Sequence, residues 1–129
     1  MIYSPQQEVF NLCRRKAIEV FKEKNVYDSR PLKAVSYPFC EVSDQQTVEG
    51  LNKSTVIPTI YQTFHIFGDN KAQGQLRTLA SALKKSLREV KNTKHYYVSV
   101  NKISERTLQD NSTSTPLFHL VLDVEFILY

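Results

Sequence analysis

The chain has 129 residues, 41% of them hydrophobic and 23% charged, with a formal net charge of +4. That length reads as a single domain over 1–129, able to bury a core without staples, and no apolar run approaches the roughly 20 residues of a membrane helix. The basic residues gather only at Arg14-Arg15-Lys16 and Lys84-Lys85, short runs that read as solvated helix faces and give little reason for a nucleic-acid ligand.

The start, Met1-Ile2-Tyr3-Ser4-Pro5-Gln6, has neither the basic nor the apolar region of an export signal. Ser4-Pro5-Gln6-Gln7 opens a helix: a serine N-cap, proline at the first helical position and a glutamine placed to close a capping box. The helix is expected from about Pro5 to Lys24. Phe10, Cys13, Ala17 and either Val20 or Phe21 recur at spacings of three and four, with Val9 and Leu12 beside them, while Arg14, Arg15, Glu19, Lys22 and Glu23 point away. Cys13 and Cys40 lack metal or redox spacing and read as buried free thiols, which fits a reducing compartment.

After a C-cap at Asn25, Val26-Tyr27-Asp28 predicts a short strand that Ser29-Arg30-Pro31 ends. Tyr37-Pro38 leads into a second strand over Phe39–Ser43. From Asp44 to Thr55 the sequence is polar, contains Gly50 and reads as a hairpin loop longer than geometry requires, either a functional arm or a tolerated surface loop.

Thr59–Phe67 alternates with a period of two. Ile60, Phe64 and Ile66 form one row, broken by Gln62; Tyr61, Thr63, His65 and Phe67 form the other. Gly68-Asp69-Asn70 ends this strand. Leu76, Leu79, Ala80, Leu83, Leu87 and Val90 then mark an amphipathic helix from about Lys71 to Lys91, its last turns rich in cations that suit the helix dipole. Lys94–Ile103 sets Tyr96, Val98 and Val100 against Tyr97, Ser99, Asn101 and Ile103. Ser104–Pro116 reads as strand ends around a flexible turn, and the last strand carries an apolar row of Phe118, Leu120, Leu122, Val124, Phe126 and Leu128 that must be buried.

The predicted class is α+β: a mainly antiparallel sheet of four to five strands with two helices packed on one face, in the order α-β-β-β-α-β-β. Two helices leave the second face open. That face carries Tyr61, Thr63, His65, Phe67, Tyr97, Ile103, Val121, Ile127 and Tyr129, too apolar for a solvent face and too polar for a core, and so reads as a subunit interface.

Catalysis has little support. His65, His119, Asp123 and Glu125 share the open face by parity, but no spaced ligand motif accompanies them. A phosphate-binding glycine loop and a nucleophile elbow are missing, so the expectation is a non-enzyme with no catalytic residues, no metal and no cofactor. Tyr61, Tyr97 and Tyr129 invite comparison with a nucleic-acid stacking platform, yet the same face bears Asp123 and Glu125 and its basic interleaving is absent.

The opening helix, Val26-Tyr27-Asp28, Tyr37-Pro38-Phe39 leading into a strand, an aromatic strand ending at Phe67-Gly68 before a leucine helix, and the final strand from Phe118 to Tyr129 together resemble the tail-terminator or tail-to-head joining proteins of long-tailed bacteriophages. The resemblance covers nearly the whole chain. It implies a virion assembly protein forming a ring, typically of six, on the head-proximal end of the tail tube. Its partners would be further copies of itself, the major tail tube protein and the head connector or neck protein, with DNA only passing through the lumen and no membrane. It would act in the host cytoplasm during assembly and reside in the virion tail. The subunit interface would draw on Tyr61, Thr63, His65, Tyr97, Val121 and Tyr129, and an arm for docking on tube or connector on Asp44, Gln45, Gln46, Glu49 and Lys53. Another head-tail connector protein, or a nucleic-acid-binding α/β module, are the alternatives.

Overall fold

Helix α1, Pro5–Phe21, starts as its sequence predicts: Ser4 Oγ accepts from the Gln7 N–H at 3.2 Å. The Gln7 side chain does not reach back to close the box and bonds Asn11 instead, at 2.9 Å. In this computed structural model, which describes residues 2–31, 33, 35–52, 55–111 and 116–129, α1 ends three residues before the predicted Lys24. Lys22 takes a φ of 75°, breaking the helix, and Asn25 Nδ2 donates to the freed Phe21 carbonyl at 2.8 Å. The asparagine caps the helix through its side chain.

Among the described residues the strands are β1 (Val26–Tyr27), β2 (Phe39–Asn52), β3 (Thr55–Asp69), β4 (Val98–Asp110) and β5 (Leu117–Leu128), with helix α2 (Gln73–Arg88) between β3 and β4. The sheet order is β1-β2-β3-β5-β4. β1 lies parallel to β2 and every other pairing is antiparallel, so the predicted α+β class holds with a sheet that is mixed at one edge. β3 and β5, both central, are paired along Thr59–Asp69 and Leu117–Ile127.

Both helices cover one face. Val9, Leu12, Cys13, Ala17 and Phe21 of α1 and Leu76, Ala80, Leu83 and Leu87 of α2 pack on Ile60, Phe64 and Ile66 of β3 and on the full predicted row of β5 from Phe118 to Leu128. Fully burying each such side chain is worth about 1.5–3 kcal/mol. Gly68 is where α2 comes closest to the sheet: a Cβ there would stand 2.5 Å from Leu76 Cδ1. Burial pushes the thiols of Cys13 and Cys40 well above their usual range, which keeps both inert.

Three expectations change. The stretch read as a loop from Asp44 is strand: β2 runs on to Asn52 and β3 begins at Thr55, held by pairs from Gln45–Gln62 to Asn52–Thr55. Its residues alternate no apolar row, so pairing rather than burial defines it. A bulge between Val42 and Gln45 then turns Gln45 inward, opposite the buried Gln62. Gln62 Nε2 donates to the Asp44 carbonyl at 2.9 Å and its Oε1 accepts from Gln45 Nε2 at 3.1 Å, so the polar break in the β3 row is fully bonded. A second bulge, between Val100 and Lys102, reverses the parity of β4 and places Ile103 against the core rather than on the open face. β4 also persists to Asp110, well into the predicted turn, of which residues 112–115 lie outside the described residues.

Candidate subunit interface

The open sheet face is assembled from β2, β3, β5 and β4, and its centre is aromatic. Phe67 lies between Phe39, at 5.0 Å between centroids, and His119, at 4.2 Å, all three rings nearly parallel. The Arg30 guanidinium, from the segment between β1 and β2, sits over Phe67 at 4.2 Å and donates to Glu41 at 3.0 Å. Arg30, Phe39 and His119 together cover Phe67, which is 1% exposed. One corner of the open face is therefore closed within the subunit.

Beside that stack runs a polar chain. Asp44 Oδ2 is 3.0 Å from His65 Nε2, and His65 Nδ1 is 2.9 Å from His119 Nε2. The carboxylate fixes the proton on His65 Nε2, so the second contact joins one ring N–H to one ring lone pair. Burial, the neighbouring His65 and Arg30 push His119 down to about 4, against the pull of Asp110 and Glu41. His119 is accordingly neutral at physiological pH.

The sequence grouped His65 and His119 with Asp123 and Glu125. The structure joins the two histidines but sends the carboxylates elsewhere: Asp123 accepts from Thr63 Oγ1 at 2.7 Å, and Glu125 accepts from Asn101 and holds Tyr61, whose phenol it pushes up through a hydrogen bond, aided by burial. The described residues contain no group of three or more His, Cys, Asp or Glu side chains arranged to hold a metal. Asp44, Gln45, Gln46, Tyr61, Thr63 and Asp123 line a groove of about 380 Å³ on this face.

The predicted interface residues are distributed unevenly. Tyr61, Thr63 and His65 are half-buried, the first two along the groove, while Val121 is 1% exposed, level with His65 on one side and Arg106 on the other. Tyr97 and Tyr129 are 73% and 81% exposed at the far end of the sheet, where the Tyr129 hydroxyl meets Ser99 Oγ at 2.6 Å. Of the predicted arm, Asp44 is tied to His65 and Gln45 to the Gln6 carbonyl and Gln62, whereas Gln46 and Glu49 are exposed; Lys53 lies outside the described residues.

One buried site escaped the sequence reading. Glu8, 4% exposed in the first turns of α1, accepts from Thr93 Oγ1 at 2.9 Å, from the His95 N–H at 2.8 Å and from His95 Nδ1 at 2.5 Å. Burial raises its pKa, but the His95 and Thr93 hydrogen bonds outweigh that and hold the carboxyl below its usual range. The two partners, Thr93 and His95, are more than 80 residues away, and only a carboxylate in the apolar stripe at Val9 hinted at them.

No family model and no curated protein matches this sequence. The fold, however, has a solved counterpart. A chain of a structure described as the virion of a native gene transfer agent particle aligns with a TM-score of 0.63, covering 93% of this chain and 92% of its own, at 10% identity. At that identity the likeness is one of fold. It extends over nearly the whole of both chains. Among the described residues no helix is long and apolar enough to cross a membrane.

Proposed function

We propose that this chain is a virion assembly protein of a phage-like particle, and more specifically a tail terminator. Copies would form a ring, of six in the family it resembles, on the head-proximal end of the tail tube, end tube growth and offer the opposite side to the head connector. The observation that carries this reading is the end-to-end fold likeness to a chain of a gene transfer agent virion. A sheet with helices on only one face supports it, because such a subunit has surface to give to neighbours.

The mechanism is interfacial. A heterologous contact closed by rotation gives a ring, and termination requires only that the far side of the ring cannot receive another tube subunit. Tyr61, Thr63, His65, Tyr97 and Tyr129 supply open-face contact area, and Val121 acts from beneath, since its neighbours cover it. Asp44 and Gln46 lie on β2 where β3 and β5 back it, and Glu49 lies opposite Pro58, where the β2–β3 hairpin runs past the β3–β5 pairing; these would dock on tube or connector. No reaction and no cofactor are needed, and DNA would pass through the lumen only.

Deleting the gene from the producing particle tests the proposal. Overlong tails unattached to heads are the expected outcome. Tails of normal length beside unattached heads contradict it and indicate a different protein of the neck.

A further inference from the structure

The geometry points to the way two copies meet: the β4 edge of one copy pairs antiparallel with the β2 edge of the next, continuing the sheet from subunit to subunit. This deepens the ring reading and rests on it only for the closure of the chain of copies.

Among the described residues the sheet has two long unpaired edges. β1 occupies the outer side of β2 only at Cys40 and Glu41, leaving Val42–Asn52 without an outer strand among the described residues. On β4 the Val98 N–H bonds the Lys91 carbonyl at 3.0 Å, and from Ser99 to Asp110 no other strand reaches its outer side among the described residues. Free edges of this length are templates for another strand.

Strand direction allows the two edges to join. β3 is antiparallel to β2 and β5, and β4 is antiparallel to β5, so β2 and β4 run in opposite senses. A copy placed beside the first in the same orientation therefore brings β4 antiparallel onto β2.

Charge then selects this pairing over the alternatives. Register across the sheet puts Gln46 level with Lys102, Val48 level with Ser99, and Thr63 with Asp123 and Ser104. With no slip along the strands, the open-face side of β2 at Asp44, in the bulge opposite Thr63, meets β4 at Ser104, between Lys102 and Arg106. Lys102 and Arg106 have no ion-pair partner among the described residues, and Asp44, bonded to His65, is the acid that faces them at this register. Two β4 edges brought together about Ser104 would oppose Lys102 to Arg106, and two β2 edges brought together about Asp44 would oppose that carboxylate to its copy, arrangements that like charges disfavour. The occupant of each edge is the opposite edge of a second copy.

Disulfide trapping tests this. Gln46→Cys would be combined with Lys102→Cys, and separately with Ser99→Cys and Ser104→Cys to allow for slip, and each protein oxidised mildly, free and after addition to isolated tail tubes. Cys13 and Cys40 are buried and stay silent. The expected result is a shift of the monomer band to a ladder of covalent oligomers in one double variant and in neither of its single variants. No ladder from any pair in either setting overturns the pairing, as does an equal dimer from Lys102→Cys alone, which would mean β4 meets β4. In a second arm, Asp44→Lys should lose the association seen by light scattering, and adding Lys102→Glu with Arg106→Glu should restore it; failure of that rescue in a folded protein contradicts the charge pairing. Tubes capped without a ladder sink the edge pairing alone, whereas a ladder without capping sinks the terminator reading alone.

Discussion

His119 lies flat against Phe67, with ring centroids 4.2 Å apart, while its Nε2 is 2.9 Å from His65 Nδ1. Both contacts suit a neutral imidazole. With His119 pushed down to about 4 from an ordinary 6.5, its contribution to stability is complete above 6.5 and is lost as pH falls through about 4. The groups that set the window are His65 and Arg30, which oppose the proton, and Asp110 and Glu41, which favour it. A melting temperature that falls between those pH values in the parent, and falls less steeply in His119→Phe, is the expected outcome of thermal denaturation across pH.

Glu8 predicts a separate, more acidic window. Its carboxyl is held below 4.5, so its stabilisation is present above that value and is lost as pH falls below it. Glu8→Gln replaces one acceptor oxygen with a donor facing His95 Nδ1 and should lower the melting temperature at pH 7 while flattening the acid limb below 4.5. Parallel melting curves of parent and variant over that acid range would show that the network carries no linked proton.

The glycines Gly68 and Gly74 should respond to alanine with opposite signs. At Gly68 a Cβ would lie 2.5 and 2.7 Å from the two methyls of fully buried Leu76, so Gly68→Ala is expected to cost about 1–3 kcal/mol by overpacking. Gly74, in the first turn of α2, has nothing within 4 Å of that position. Gly74→Ala should stabilise by about 0.5–1 kcal/mol through helix propensity. Urea denaturation of both variants reads the two effects directly.

Gln62 is fully buried in the β3 core row, and its amide joins the Asp44 carbonyl to Gln45. Gln62→Leu takes that donor from the Asp44 carbonyl and leaves Gln45 Nε2 with the Gln6 carbonyl alone, and about 1–3 kcal/mol should be lost. Gln62→Leu combined with Gln45→Leu removes part of the mismatch and should recover stability relative to the single variant in the same denaturation assay.

Much of this fold was legible because burial writes itself as periodicity. The β5 row from Phe118 to Leu128 and the stripes of α1 and α2 were read residue by residue, and all of them pack where the pattern placed them. What the pattern could not show was where a strand continues without a buried row, as at Asp44–Asn52, or where one extra residue reverses the faces. The bulge at Asn101 has no sequence mark, and it alone moves Ile103 from the open face to the core. The candidate interface was legible as a face and less so as a site. Phe67 was assigned to the right side of β3, but the cover provided by Arg30 and Phe39 depends on a segment whose path no periodicity describes. The pairing of Asp44 with His65 was equally hidden, since it needs the bulge between Val42 and Gln45.

A protein that ends a tail tube must sit at one end of it and stop its growth. The measurement that tests it most directly is electron microscopy of isolated tail tubes mixed with the purified protein and then supplied with free tube subunits. The expected result is a ring at one end of each tube and no further growth from that end. Tubes that lengthen as fast with the protein as without it, with bare ends, would contradict it.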